Sequence, residues 1–241
     1  MEYQKHELIR SENLSFYDRF SHELRTTLTG IIGFSEFIEH SIDDPMMKFA
    51  SRVINKGGGD VLRVTSSYFD LFRFQAGEVT LQLSTFCVMH VLDEMMHLAR
   101  EDANLRSVKL ILNCDSESWK VRVVSDLSIF RRLIDLLLHD LIMTSGCDDL
   151  IQMEVLHGAS DDGFTLRFIK VGKVGDARGM LLSKAFWTED VYVYEKQEGP
   201  GICATLAKVL IKSLSGCVST SMIDHQSFVL ELSFPVHLEN T

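Results

Sequence analysis

The chain has 241 residues, enough for one or two domains, and its 46% hydrophobic and 24% charged residues are the balance of a soluble globular protein. A net charge of −10 disfavours a nucleic-acid footprint, and no apolar run reaches bilayer length, since the densest, residues 133–143, is broken by Asp135, His139 and Asp140. Five scattered cysteines without paired metal spacing, and an amino terminus without a signal-peptide pattern, predict reduced thiols, a cytoplasmic location and no membrane segment.

Residues 8–41 contain no Pro. Leu14, Tyr17, Leu24, Leu28, Ile31 and Ile38 recur in three- and four-residue steps, which predicts a long amphipathic helix with a coiled-coil-like seam. His22 is off that seam. Helical spacing puts it with Ser15, Asp18, Arg19, Thr26, Thr29 and Glu36 on a polar stripe facing solvent, which argues against a core role for this histidine. An exposed imidazole attacks phosphorus through a neutral nitrogen and needs a neighbour that orients it or takes its proton. Glu23 is that neighbour, and Thr26, one turn on, is placed to hydrogen-bond a water or a phosphoryl oxygen.

Asp43-Asp44-Pro45 supplies a stop, an N-cap and an N1 proline, so a second helix over 46–74 returns antiparallel to the first. Its seam is Ile54, Gly57, Val61, Val64, Tyr68 and Leu71. The run Gly57-Gly58-Gly59 in mid-helix predicts close helix approach, a local kink or a hinge, because each Gly costs up to ~1 kcal/mol relative to Ala there. Two helices with one seam each do not close a core, whereas two copies do, which predicts a homodimeric four-helix bundle. The hairpin accounts for residues 1–76 and leaves 77–241 as a second domain. There the periodicities predict helices at 87–104, 126–144 and 201–214 and strands at 108–112, 120–124, 150–156, 164–171, 217–222 and 228–234. Helices alternating with mostly antiparallel hairpins imply one sheet covered by helices, an α/β sandwich, and an α+β chain overall.

The stretch Ser21-His22-Glu23-Leu24-Arg25-Thr26-Thr27-Leu28 resembles the phosphoacceptor motif of bacterial two-component histidine kinases, Ser-His-Glu-Leu-Arg-Thr-Pro-Leu, with only Thr27 departing from it. The family's Pro removes a backbone donor and loosens the helix after the histidine, so Thr27 should stiffen it. The order of elements in 77–241 is similar to the family's ATP-binding domain of the GHKL type, and the resemblance covers nearly the whole chain.

The resemblance implies three nucleotide positions, and each is altered here. An Asn that holds Mg²⁺ aligns, on the hydrophobic pattern Leu133-Ile-Asp-Leu-Leu-Leu-His-Asp140, with His139, a poor ligand for a hard cation. An Asp that reads the adenine amino group, followed by glycines, aligns with Val171 or Gly172 in Lys170-Val-Gly-Lys-Val-Gly-Asp176, with Gly175 the run's other glycine. A glycine-rich helix start facing the phosphates aligns with Gly199-Pro-Gly201-Ile-Cys203-Ala, where Cys203 brings a side chain to a position the family keeps bare. Residues 177–198 are short for a lid, and Phe186, Trp187, Tyr192 and Tyr194 read as local core or a partner surface.

Nucleophile kept and nucleotide site lost is the character of dimeric histidine phosphotransferases. That implies a relay in which His22 takes a phosphoryl group from the aspartate of a response-regulator receiver, with an upstream hybrid histidine kinase as a source. Glu23 orients the imidazole, Thr26 helps position the transferred group, and Ile32 and Phe34 are docking anchors or bundle core. The receiver brings its own Mg²⁺, so no firmly bound cofactor and no metal are expected in this chain. Asp43-Asp44, Asp148-Asp149 and Asp161-Asp162 fall at element ends as caps and turns, which leaves the receiver on another polypeptide. Two other readings stand beside this one: an active sensor kinase with a divergent ATP site, and a pseudokinase that binds a true kinase.

Overall fold

The computed structural model describes residues 2–114, 118–157, 163–172, 187, 202–223 and 227–237, with side chains of the first helix described from residue 19 onward. The chain divides into two compact units, Met1–Val79 and Thr80–Thr241.

The first unit is a hairpin of α1 (Glu2–Ser41) and α2 (Pro45–Ala76). Asp44 starts α2 as its N-cap: Oδ1 accepts from the main-chain N–H of Met46 at 2.8 Å and of Met47 at 3.0 Å, and Pro45 fills the first helical position. Gly77 ends it in the left-handed region at φ 73°, which a Cβ would strain, with its N–H and that of Glu78 returned to Phe74 and Arg73 carbonyls. Between the helices Arg52 Nε meets Glu39 Oε1 at 2.6 Å and Asn55 donates to Glu36 at 3.2 Å. Of the three consecutive glycines only Gly58 is demanded by packing: a Cβ there would sit 2.9 Å from Ile32 Cγ1, while Gly57 and Gly59 meet nothing within 4 Å. α2 runs unbroken through all three, so the run marks a close approach. It also sets Ile32 inside the hairpin rather than on its surface.

The second unit contains a two-stranded antiparallel pair of β1 (Leu83–Cys87) and β3 (Arg122–Asp126), which the periodicity misses at β1. Its main sheet joins β2 (Lys109–Asn113), β4 (Leu150–His157), β5 (Gly163–Val171), β6 (Cys217–Met222) and β7 (Ser227–Pro235) in the order β2-β4-β5-β7-β6. Every neighbour pair is antiparallel except β2 with β4. Strict alternation along β5 turns Phe164, Leu166, Phe168 and Lys170 inward. On the outward side Arg167 bridges Glu154 at 3.5 Å and Glu231 at 2.7 Å. The inward residues meet the buried faces of α3 (Val88–Leu105), α4 (Leu127–Met143) and α5 (Ile202–Ser213), with Phe86, Phe130, Phe164 and Phe234 forming a continuous aromatic cluster. No helix among the described residues is long and apolar enough to cross a membrane.

Candidate functional site

His22 lies on the exposed side of α1, with Arg19, Glu23, Thr26, Thr29 and Glu36 also exposed around it. Phe20, two residues earlier, points the other way and packs edge-on against Phe69 of α2 with centroids 6.0 Å apart, which fixes the rotation of α1 and holds His22 outward. Thr26 Oγ1 donates to the His22 carbonyl at 2.8 Å, and Thr27 Oγ1 donates to the Glu23 carbonyl at 2.9 Å. The two threonines therefore brace the carbonyls of the His-Glu pair, one turn below. In this rotamer the Thr26 proton is engaged with the backbone, leaving its oxygen lone pairs to face a ligand. With Thr27 in place of a proline, α1 passes His22 without a break.

The expected nucleotide positions fall at the ends of α4 and β5, and there the structure brings together residues beside those singled out from the sequence. Val171 is 36% exposed, whereas Lys170 is 3% exposed and is the last inward side chain of β5 before Gly172. Val171 thus faces outward, and beside it Lys170 is the inward side chain at the end of the strand that the resemblance aligns with the family's adenine-reading segment. Its Nζ donates to the Thr144 carbonyl at the end of α4 at 2.8 Å and lies 3.9 Å from Asp149 Oδ2. Asp149 is buried, accepts from the Gly146 N–H at 2.8 Å, and crowds Gly172, where a Cβ would come within 1.9 Å of Oδ1. On α4 the side chain that interacts with Lys170 is Asp140, next to the half-buried His139. Burial pushes the Asp140 carboxyl up to about 6 against the opposing pull of Lys170. Burial likewise lowers Lys170, while Asp149 and Asp140 draw it back up.

Sequence reasoning assigned Asp149 to a turn and passed over Lys170. The alternation Phe164, Leu166, Phe168 was the signal that the next residue in step is buried. Cys203 is half-buried in the first turn of α5. Gly175, Gly199 and Gly201, together with Phe186, Tyr192, Tyr194 and the pair Asp161-Asp162, lie outside the described residues. Trp187 is described and half-buried.

No family model matches the chain. Its sequence is 21% identical over 226 residues to the autoinducer 2 sensor kinase/phosphatase LuxQ of Vibrio parahaemolyticus, covering 92% of this chain and 26% of that protein. It is 23% identical over 215 residues to the signal transduction histidine-protein kinase BarA of Escherichia coli K12, covering 88% of this chain and 23% of that one. The chain thus spans about a quarter of the length of these relatives. Among solved structures, full-length ShkA in complex with AMPPNP superposes with a TM-score of 0.63 at 14% identity, covering 94% of this chain and 47% of that one. Histidine kinase ThkA in complex with response regulator protein TrrA superposes with a TM-score of 0.55 at 19% identity, covering 98% of this chain and 66% of that one. A helical hairpin followed by a helix-covered mixed sheet is the fold on which these structures superpose. Relatives of this kind and this architecture make the chain similar, in sequence and in fold, to two-component histidine kinases.

Proposed function

We propose that this chain is a histidine phosphotransfer protein that carries a phosphoryl group between receiver aspartates on His22. The observation that supports this reading most is the contrast between its two units. The first keeps an exposed His22 beside Glu23, and the second has no carboxylate at Val171 or Gly172, which align with the family's adenine-reading Asp, and buries Lys170 beside them. An ammonium group offers donors only, so an adenine amino group facing it is left unpaired at a cost of roughly 1–3 kcal/mol.

In the transfer step a neutral ring nitrogen of His22 attacks the phosphorus of a receiver's aspartyl phosphate. The new N–P bond forms as the P–O bond to the aspartate breaks, and the carboxylate leaves with the electron pair. Glu23 takes or holds the proton on the other ring nitrogen, and the reverse sequence loads the next receiver. The hydroxyl of Thr26 helps position the phosphoryl group by releasing its bond to the His22 carbonyl. The complex of ThkA with TrrA supports a response regulator as the class of partner.

The working unit in this reading is a homodimer of 1–76 hairpins, each followed by a 77–241 domain. Within one chain the seam residues Ile31, Ile54, Val61, Val64 and Tyr68 are exposed, as are Phe34, Met46 and Phe49, a stripe that pairing with a second copy buries. The same stripe suits the pseudokinase reading, with a true kinase as the second member.

The test is phosphotransfer from a phosphorylated receiver, run beside labelling with Mg·ATP, on wild type and His22→Gln. The relay predicts label on wild type from the receiver, none on the variant, and none from ATP. Labelling of His22 from ATP indicates an active kinase. A wild-type chain that takes phosphate from neither source is left as a binding module.

A further inference from the structure

A phosphoryl group on His22 brings a charge of roughly −1.5 to −2, and oxygens that only accept hydrogen bonds, to an exposed helix face beside Glu23 in a chain whose net charge is already −10. The nearest hydroxyls are engaged elsewhere, since Thr26 and Thr27 donate to the carbonyls of His22 and Glu23 at 2.8 and 2.9 Å. Arg19 and Arg25 stand three residues from His22, one on either side, and both are exposed. Residues at that spacing are neighbours on a helix, with Cβ atoms about 5–6 Å apart. Long side chains lean toward the helix N-terminus, so the His22 ring lies over the turn that bears Arg19, and the Arg25 side chain lies back over the turn that bears His22. Their guanidinium groups also differ from others in the chain. Arg52, Arg131, Arg132 and Arg167 each bridge a carboxylate, whereas Arg19 and Arg25 hold no ion pair or hydrogen bond among the described residues. Arg19 does not bridge Glu23, although Glu23 lies one turn on.

We propose that Arg19 and Arg25 clamp the phosphoryl group on His22 from its two sides. The inference rests on the reading of His22 as the phosphoacceptor, and names the groups that hold the phosphate there. Each guanidinium is a planar fork of N–H donors that matches phosphoryl oxygens, and bonds of this charge-assisted kind are stronger than neutral ones. They form only once phosphate is present. The clamp therefore stabilises phospho-His22 over free His22, which moves the balance with a donor toward a loaded protein. It also favours the dianionic phosphoryl group over the monoanion, because the doubly charged form gains more from two nearby cations.

Phosphoramidate is the probe, a small donor that reaches an exposed histidine without a receiver. A neutral ring nitrogen of His22 attacks its phosphorus, the bond to the ring forms as the bond to the departing nitrogen breaks, and ammonia leaves with the electron pair while the ring proton passes to Glu23 or water. On the full chain, phosphorus magnetic resonance follows the phosphoryl signal through a pH titration of wild type, Arg19→Ala, Arg25→Ala and the double alanine and double lysine variants. Absence of the signal in His22→Gln assigns it. Alanine keeps the helix at both exposed positions, being the best helix former. The clamp predicts a midpoint in wild type lower than in the double alanine variant by about half a unit to one unit at low ionic strength, with the single variants between them. The difference shrinks in about 1 M salt, and the double lysine variant recovers only part of it, since lysine keeps the charge and loses the fork. One midpoint shared by wild type and the double alanine variant overturns the proposal, as does a wild-type His22 that takes no phosphate from phosphoramidate. The relay is read separately, with a phosphorylated receiver as donor. A chain with the shifted midpoint that no receiver loads keeps the clamp and loses the relay. A chain that a receiver loads, with a midpoint indifferent to both arginines, keeps the relay and loses the clamp.

Discussion

Thr27 Oγ1 donates to the main-chain carbonyl of Glu23 at 2.9 Å, across the turn that carries the phosphoacceptor. A proline in that position lacks the N–H that the helix uses at Thr27, and its ring presses on the same Glu23 carbonyl. Thr27→Pro is therefore expected to cost the hairpin about 3 kcal/mol and to bend α1 just past His22. Circular-dichroism melting reads the first effect. Phosphate acceptance from a receiver should persist, because transfer to an exposed imidazole requires docking and not flexing of the helix. A melting point unchanged from wild type would show that this turn is already distorted in solution, contrary to its bonding here.

Gly58 and Gly59 are neighbours with opposite expected responses to alanine. At Gly59 the space is open, so Ala gains helix propensity worth up to about 1 kcal/mol and raises the melting temperature by about 2–4 °C. At Gly58 the new methyl meets Ile32 Cγ1 at 2.9 Å, and the helices have to part or Ile32 has to turn. Gly58→Ala should therefore show no gain and a net loss. Equal stabilisation at both positions would refute the close approach of the two helices.

The hairpin was legible in the sequence because each of its signals is local. Asp44 and Pro45 mark a start, Gly77 a stop, and a seam of three- and four-residue steps runs between them. The elements of the second unit were legible for the same reason, with the exception of β1. Leu83–Cys87 is five residues with only its last two buried, so it shows no alternation, and it becomes a strand by pairing with β3 some forty residues on. The parallel pairing of β2 with β4 is equally a product of tertiary contact, since neither strand carries a mark of its partner's direction. At the candidate site His22 announced itself by motif and by position on the helix. Lys170 did not, because a lysine at a strand end reads as solvated until the parity of Phe164, Leu166 and Phe168 is carried one step further. Asp149 was hidden by its place beside Asp148 in a turn, where a carboxylate is commonplace.

The apolar stripe of the hairpin makes a direct statement about assembly. Phe34 is 73% exposed, Val61 49% and Ile54 50% within one chain, on helices that already bury a separate face against each other. Light scattering coupled to size exclusion should give wild type a mass of twice the 27.4 kDa chain. Ile54→Asp with Val61→Asp places charge in the seam, and burying an unpaired carboxylate there costs several kcal/mol per site, enough to return the protein to monomer. A wild-type chain that runs as a monomer at micromolar concentration removes the dimer from the proposed mechanism.

Asp126 gives the second unit a defined acid sensitivity. Its Oδ1 accepts from the Ser128 N–H, the Ser128 hydroxyl and the Ile129 N–H at 3.0, 2.7 and 3.0 Å, and Oδ2 accepts from the Gln82 N–H at 2.7 Å, so one carboxylate caps α4 and ties it to the segment before β1. Burial pushes this carboxyl up, but the Ser128 hydroxyl and the three main-chain donors outweigh it and hold it below its ordinary 3.8. The folded state therefore prefers the ionised form more strongly than the unfolded state does. The stability this supplies is complete above the unfolded value near 3.8 and is lost as pH falls through the lower folded value. Asp126→Ala should cost about 1–2 kcal/mol for the cap at neutral pH, and more for the Gln82 N–H it leaves without its acceptor. The gap between variant and wild type should narrow only below pH 4, where wild type itself begins to take up the proton. Urea titrations at pH 7, 5 and 3 measure that gap, and one that closes already between pH 7 and 5 would mean that Asp126 titrates high and that its four donors do not hold it as described.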